Sequence, residues 1–157
     1  YLADEIRTAV IPTDHPAFVE TEKAVSDRIN TLMNIKGKQT VESFHKRLGK
    51  IMWDKCGMAR NEEGLQEAIT EIRELKKEFW SDLRIPGDVS SINPELDKAG
   101  RAAEFIEWGE LMCLDALTRR ESGGGHCRET SQTEEGEAKR AEENFSCVSE
   151  WEDKGTE

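Results

Sequence analysis

Apolar residues recur at helical intervals along most of the chain, and the first such segment predicts a helix from about residue 16 to residue 35. Its apolar side chains are separated by 7, 4 and 3 positions, so they share one side of the helix. They are Phe18, Val25, Ile29 and Leu32. The sequence Lys36-Gly37-Lys38 is expected to end this leading helix.

Two further helices follow, each preceded by a residue suited to N-capping. Thr40 is placed to cap a helix that ends near Gly57, and Asn61 is placed to cap the next one. The helix after Asn61 has the strongest amphipathic pattern of the chain, with apolar residues at steps of 3 and 4. The apolar residues of these two helices are Val41, Phe44, Leu48 and Ile51, then Leu65, Ala68, Ile72, Leu75 and Phe79.

A fourth helix is predicted to begin at Asn93 and to end near Arg120, because asparagine followed by Pro94 matches a helix start. Between helices three and four, residues 81–92 contain the sequence IPGD, which is typical of a connecting loop. Helices joined by short connections pack as antiparallel neighbours. The predicted fold class is therefore all-α: an up-and-down helical bundle of three long helices plus the leading helix, in a chain without a competing strand pattern.

The composition changes after residue 126 and divides the chain into three predicted parts. These are a lead-in segment (1–15), a helical bundle domain (16–126) and an acidic C-terminal extension (127–157). The extension has ten acidic and four basic residues, a composition typical of a disordered tail. Its apolar residues Phe145, Val148 and Trp151 lie three apart and equally allow a short helical turn against a partner surface. The sequence leaves both alternatives open.

Charge and hydropathy narrow the possible partners. The net charge of -11 argues against nucleic acid and anionic membrane surfaces, and suits a basic protein partner. Direct membrane insertion is not expected, because a run of about 18 apolar residues does not occur. The first residues lack the pattern of a signal peptide, so a cytoplasmic protein is expected.

The sequence offers few candidates for catalytic or metal-binding residues. Four cysteines without a CxxC pair are expected to be reduced, and His126-Cys127 lacks the second pair that a zinc site needs. No catalytic, metal or cofactor-binding residue is predicted. The carboxylate pairs at 62–63 and 142–143 are expected to be solvated surface groups, and His45 is expected to be a surface or packing residue. Trp53 and Trp80 are predicted to be core or boundary anchors.

The segment RESGGGHCR at residues 120–128 is unusual, because three consecutive glycines favour neither helix nor strand. It follows the fourth predicted helix and is expected to form a tightly folded loop beyond it. A flexible linker is the simpler alternative.

Four motifs in a fixed order carry a family resemblance. They are IMWDKCGMAR at 51–60, EGLQEA at 63–68, NPEL at 93–96 and ESGGGHCR at 121–128. In this order they resemble the C-terminal helical domain of the flavoprotein subunit of succinate dehydrogenase and fumarate reductase. Gly123 departs from the commoner family pattern, which has arginine there. The residues GEAKR at 136–140, Asn144-Phe145 and Trp151-Glu152 resemble the acidic extension of longer members.

The resemblance implies a fragment of an oxidoreductase that is inactive alone. FAD would bind to the full-length subunit through a preceding dinucleotide-binding domain, and this chain has no G-x-G-x-x-G after a strand. The implied partners are that flavin-binding domain and the iron-sulfur subunit, at the inner face of the membrane. Glu121, Ser122, His126 and Arg128 are predicted to make the interdomain contacts. The alternative is a free-standing helical interaction module that binds partner helices through its apolar stripes.

Overall fold

The computed structural model describes residues 12–152 and 154. Most of the predicted lead-in, residues 1–11, lies outside the described residues. The all-α prediction is confirmed, and the four predicted helices end within two residues of their expected positions. The helices are α1 Pro16–Asn34, α2 Val41–Lys55, α3 Glu62–Asp82 and α4 Pro94–Thr118, followed by the single turn α5 Glu142–Phe145.

The predicted N-caps of α2, α3 and α4 are confirmed. In each case a side-chain oxygen accepts hydrogen bonds from the backbone N–H groups of the first turn, which the helix itself cannot satisfy. The pairs are Thr40 Oγ1 with Ser43 (3.2 Å), Asn61 Oδ1 with Gly64 (2.8 Å), and Asn93 Oδ1 with Glu95 (3.1 Å) and Leu96 (3.2 Å).

Interhelical ion pairs show that α3 and α4 run antiparallel. Arg73 pairs with Glu110 (2.6 Å) and Lys76 with Glu107 (2.7 Å), so the residue number rises on one helix as it falls on the other. At the core, the rings of Phe44 and Phe79 meet edge to face with centroids 5.2 Å apart. The face of α4 toward this core is built from small residues, which lets its neighbours approach closely. Its buried residues are Ala99, Ala102, Ala103, Ile106, Gly109, Cys113 and Ala116.

Within the described residues, four two-residue strands accompany the helices, although the sequence shows no strand pattern. The strands β1 Gln39–Thr40 and β3 Leu83–Arg84 pair in parallel, as do β2 Ala59–Arg60 and β4 Cys127–Arg128. Two residues are too few to produce a period in the sequence, so periodicity could not predict them. Each ladder ties two connections together: β1–β3 joins the start of α2 to the end of α3, and β2–β4 joins the α2–α3 turn to the chain beyond α4.

Some side chains predicted to pack are exposed. The prediction for Trp53 as an anchor is wrong, because this side chain on α2 is 83% exposed. Trp80 is 36% exposed and meets the Phe79 ring edge to face at 5.4 Å. On α1, Leu32 is buried whereas Phe18 and Val25 are more than half exposed. None of the helices in the described part of the chain is long and apolar enough to cross a bilayer.

Gly37, in the α1–α2 connection, is expected to be intolerant of any side chain. A Cβ atom there would lie 1.9 Å from the carbonyl carbon of Asp82 at the end of α3, and backbone cannot move aside cheaply. We expect Gly37→Ala to lower the free energy of unfolding by about 2–4 kcal/mol, because the added methyl group forces the α1–α2 connection away from the end of α3. The control is Gly49→Ala in α2, where a Cβ meets nothing within 4 Å. That change should stabilise the helix by about 0.5–1 kcal/mol. Urea unfolding of both variants tests the pair, and equal effects would contradict the crossing.

Candidate interdomain contact site

The glycine-rich loop leaves the end of α4 and enters β4 through a tight turn. Gly123 and His126 exchange backbone hydrogen bonds of 2.8 and 3.1 Å across it. Gly124, at the tip, has φ +57°, a left-handed conformation that glycine adopts without strain. Both Gly124 and Gly125 are exposed. The loop is thus a defined turn that presents bare backbone to solvent.

Arg128 lies inside the domain, although it was expected to project from a loop beyond the bundle. It is 2% exposed, and its Nη1 donates hydrogen bonds of 3.0 Å to the carbonyls of Ala116 and Leu117. These are among the last carbonyls of α4, which lack partners within the helix. Its Nη2 lies 3.7 Å from a carboxylate oxygen of Glu62, the first residue of α3. The guanidinium therefore caps one helix and faces the start of another, so the expectation of a loop independent of the bundle is wrong.

Ser122 and Glu121 fix the loop from its other end. The Ser122 hydroxyl accepts a hydrogen bond from the backbone N–H of Arg128 (2.8 Å) and donates one to its carbonyl (3.2 Å). The Glu121 carboxylate accepts hydrogen bonds from the N–H of Ala141 (3.0 Å) and from Arg119 (2.9 Å). The Ala141 hydrogen bond, followed by the Arg119 side chain, lowers the pKa of Glu121. The carboxylate thus holds the C-terminal extension against the end of α4.

The hydrogen bonds of His126 define its protonation state. Arg60 lies 2.9 Å from Nδ1, and because arginine can only donate, Nδ1 must be the unprotonated nitrogen. Nε2 therefore carries the hydrogen and donates a hydrogen bond of 2.9 Å to the carbonyl oxygen of Arg119. Burial lowers the pKa of His126, and the charges of Arg60, Arg128 and Arg119 lower it further. His126 is neutral in the folded domain at pH 7.

This lowered pKa predicts a pH dependence of stability. Below pH about 6.5, His126 binds a proton more readily in the unfolded state than in the folded state, so protonation favours unfolding. The contribution of neutral His126 to the free energy of unfolding is therefore complete above that pH and declines as the pH falls. Titration by NMR should place the midpoint of His126 below about 6.5. The His126→Gln variant should lose less stability than the unmodified chain between pH about 7.5 and about 5.5. Equal losses, or a midpoint above the ordinary value, would contradict the neutral assignment.

The C-terminal extension lies against the bundle at several points. The Arg119 guanidinium sits 5.7 Å from the centroid of the Phe145 ring, and Trp151 Nε1 donates a hydrogen bond to Asp115 Oδ1 (3.0 Å). Val148, between them, is 96% exposed. The helical turn α5 ends at Phe145 and residues 146–152 are not helical, so the turn that the spacing of Phe145, Val148 and Trp151 allowed does not form. The surface that Phe145 and Trp151 contact belongs to this chain.

The four cysteines are free thiols in different surroundings. Cys56 and Cys113 are buried free thiols, Cys127 is half-buried and Cys147 is exposed. The neighbouring Cys113 thiol lowers the pKa of Cys56 to about 7, with help from Arg60, and the proximity of Cys56 together with burial raises the pKa of Cys113. Within residues 12–152 and 154, His, Cys, Asp and Glu form no group of three or more that could hold a metal ion.

The structure brings all four predicted site residues to one place, and it adds two arginines that the sequence analysis missed. We call this set the loop cluster: Arg60, Arg119, Glu121, Ser122, His126 and Arg128. Arg60 ends the motif IMWDKCGMAR, and it reaches His126 because β2 pairs with β4. Its position at the end of that family motif is the feature of the sequence that could have identified Arg60 as a site residue. The contact of the predicted residues with another domain stays a prediction, since their described hydrogen bonds are internal.

Comparison with known proteins agrees with the motifs. A family model for the fumarate reductase flavoprotein C-terminus matches residues 45–157. The fumarate reductase flavoprotein subunit of Helicobacter pylori (strain ATCC 700392 / 26695) is 30% identical over 106 residues, which is 68% of this chain and 15% of that protein. A chain of quinol-fumarate reductase solved with menaquinol molecules is 28% identical with a TM-score of 0.71, over 88% of this chain and 23% of that one. The Mycobacterium smegmatis Sdh1 complex in its apo form gives 26% identity and a TM-score of 0.63, over 82% of this chain and 21% of that one.

These matches define the class of protein as the helical C-terminal domain of a flavoprotein subunit. The chain belongs to the fumarate reductase flavoprotein C-terminal family, within the succinate dehydrogenase and fumarate reductase flavoproteins. It spans between 15% and 23% of the length of the relatives compared above.

Proposed function

We propose that this domain serves a flavoprotein subunit that interconverts succinate and fumarate, by packing on the FAD-binding domain and shaping the contact with the iron-sulfur subunit. FAD would be held by the preceding part of the subunit, and the 157-residue chain alone would carry no flavin and turn over neither dicarboxylate. Assembly through partner subunits would place it at the inner, cytoplasmic face of the membrane.

The observation that supports this role is the loop cluster. It joins the end of α4, the α2–α3 connection and the extension, and it contains residues from two of the four family motifs, those at 51–60 and 121–128. Because the Ser122 hydroxyl and the Nη1 and backbone groups of Arg128 hydrogen-bond within the domain, the cluster holds the turn and leaves Gly124 and Gly125 at its tip. A rigid, bare backbone turn suits close approach to another protein surface. We propose that the loop makes its interdomain contact through this tip and His126, while Glu121, Ser122 and Arg128 hold it in place.

The test uses the full-length subunit that contains this chain. We expect its reading frame to encode a flavin-binding region before Tyr1 and the purified subunit to contain flavin. Gly125→Trp fills the loop tip, where a Cβ meets nothing within 4 Å, and should reduce co-purified iron-sulfur subunit about tenfold. Gly49→Trp, at an equally open position on α2, is the control. Absence of flavin would refute the family role, and unchanged assembly of Gly125→Trp would refute the docking role of the loop.

A further inference from the structure

Two buried cysteines lie side by side between α2 and α4, and the proposed function gives neither of them a role. Cys56 follows the last residue of α2 and is 4% exposed, and Cys113 belongs to α4 and is 0% exposed. Both are free thiols. They are 57 positions apart in the sequence, so their proximity is a product of the fold.

The register of α2 against α4 explains why these thiols are neighbours. A Cβ atom at Gly109 of α4 would lie 3.2 Å from Leu48 Cδ1 and 3.3 Å from Met52 Sδ on α2. One turn further along α4, Cys113 Sγ lies 3.9 Å from the same Met52 Sδ. The residue numbers rise together, so the two helices run in the same direction. One more turn along α2 leads from Met52 to Cys56, which therefore comes beside Cys113.

The surroundings make Cys56 the more reactive thiol of the two. The neighbouring Cys113 thiol and the positive charge of Arg60 hold the pKa of Cys56 at about 7, although burial opposes them. Thiolate, the form that attacks oxidants, is therefore available at Cys56 near neutral pH. Cys56, followed by burial, raises the pKa of Cys113, so this cysteine stays protonated. Met58 and Ala59 are exposed, which places Cys56 one layer beneath the surface and close to solvent.

We propose that Cys56 and Cys113 are a redox-sensitive pair, which hydrogen peroxide converts into a reversible disulfide that ties the end of α2 to α4. The Cys56 thiolate attacks one peroxide oxygen, the O–O bond breaks, and a sulfenic acid and hydroxide are formed. The hydroxide takes up a proton from the solvent and becomes water. The Cys113 thiol then attacks the sulfenic sulfur, the S–O bond breaks, and the thiol proton leaves with the hydroxyl group as a second water. Two thiols are oxidised, and one peroxide molecule is reduced to two waters.

The disulfide acts on the base of the loop cluster. Arg60, four residues after Cys56, donates hydrogen bonds from Nε to the carbonyl of Gly57 (2.7 Å) and from Nη1 to His126 Nδ1 (2.9 Å). Arg60 also belongs to β2, which pairs with β4 at the end of the glycine-rich loop. A bond between Cys56 and α4 therefore restricts the opening of this ladder. It also restricts the unfolded chain by closing a long loop, which stabilises the folded state.

The test uses the Cys127→Ser/Cys147→Ser double variant of the chain, in which Cys56 and Cys113 are the remaining thiols. Hydrogen peroxide should lower the mass of the folded variant by two hydrogen atoms. Peptide mapping should recover the two cysteine-containing peptides as one crosslinked species, and dithiothreitol should reverse both changes. The disulfide should raise the melting temperature by about 10 °C. Hydrogen exchange should slow about tenfold at the amides of residues 127 and 129, which donate across the β2–β4 ladder.

Cys56→Ala and Cys113→Ala in the same background are the matched controls. Neither can form a disulfide within the chain, so peroxide should add oxygen to the remaining thiol without raising the melting temperature. Because the crosslink is measured in the double variant, a control that fails to fold leaves the test intact. Retention of both thiols under conditions that oxidise Cys147 of the unmodified chain would overturn the proposal, as would addition of oxygen or crosslinking between chains. A disulfide that changes neither the melting temperature nor the exchange at residues 127 and 129 would refute its action on the ladder.

Discussion

Arg128→Ala is expected to lower the free energy of unfolding of the 157-residue chain by about 3–5 kcal/mol. The substitution leaves the carbonyls of Ala116 and Leu117 without their 3.0 Å hydrogen bonds, and it leaves a void where a side chain only 2% exposed was packed. Urea unfolding followed by circular dichroism measures the loss directly. The loss of stability is expected in the isolated 157-residue chain, because the contacts of Arg128 lie within this domain.

Two companion variants make this prediction specific. Arg120→Ala removes an exposed arginine from the same segment and should change stability by less than about 0.5 kcal/mol. Arg128→Lys keeps the positive charge but loses the guanidinium, whose Nη1 contacts both carbonyls while its Nη2 faces Glu62. Its stability should therefore lie between those of Arg128→Ala and the unmodified chain. If Arg128→Ala and Arg120→Ala unfold at the same urea concentration, Arg128 does not cap α4.

The helices were predictable because their signals are local. Thr40, Asn61 and Asn93 lie immediately before the helices that they cap, so a capping rule finds them without knowledge of the fold. The same holds for the stripe of α3, where every predicted apolar residue from Leu65 to Phe79 is buried. Local rules predict which side of a helix is apolar. They do not predict whether anything covers that side, and in α1 the predicted apolar residues Phe18 and Val25 are more than half exposed.

The inward position of Arg128 depends on contacts between residues far apart in sequence. The β2–β4 ladder brings the α2–α3 turn beside the chain after α4, as the hydrogen bond from Asn61 to Glu129 across 68 positions shows. No periodic pattern encodes a pairing of two-residue strands. The sequence did place Glu121, Ser122, His126 and Arg128 in one segment, but the direction of each side chain follows from that ladder. Arg60 was missed for the same reason.

This arrangement changes how effects of loop mutations should be interpreted. Ser122 and Arg128 belong to the interior of the domain, so substitutions there test folding before they test assembly. Gly125 belongs to the exposed tip, and a Cβ atom added there meets nothing within 4 Å in this domain. An assembly defect in Gly125→Trp with an unchanged melt of this chain would therefore report on docking. The same defect in Arg128→Ala would not distinguish the two causes.

Ile72→Asp is expected to unfold the domain, because it places a carboxylate at a fully buried position in the middle of α3. An unpaired buried charge costs several kcal/mol, which is about the whole stability of a small domain. Glu74→Asp, two positions along on the exposed side of α3, should be nearly silent, and Ile72→Val should cost about 0.5–1.5 kcal/mol through its missing methyl group. Thermal melts of the three variants should therefore rank Glu74→Asp above Ile72→Val, with no cooperative transition for Ile72→Asp. Equal losses in Ile72→Asp and Glu74→Asp would mean that the assigned buried face of α3 is wrong.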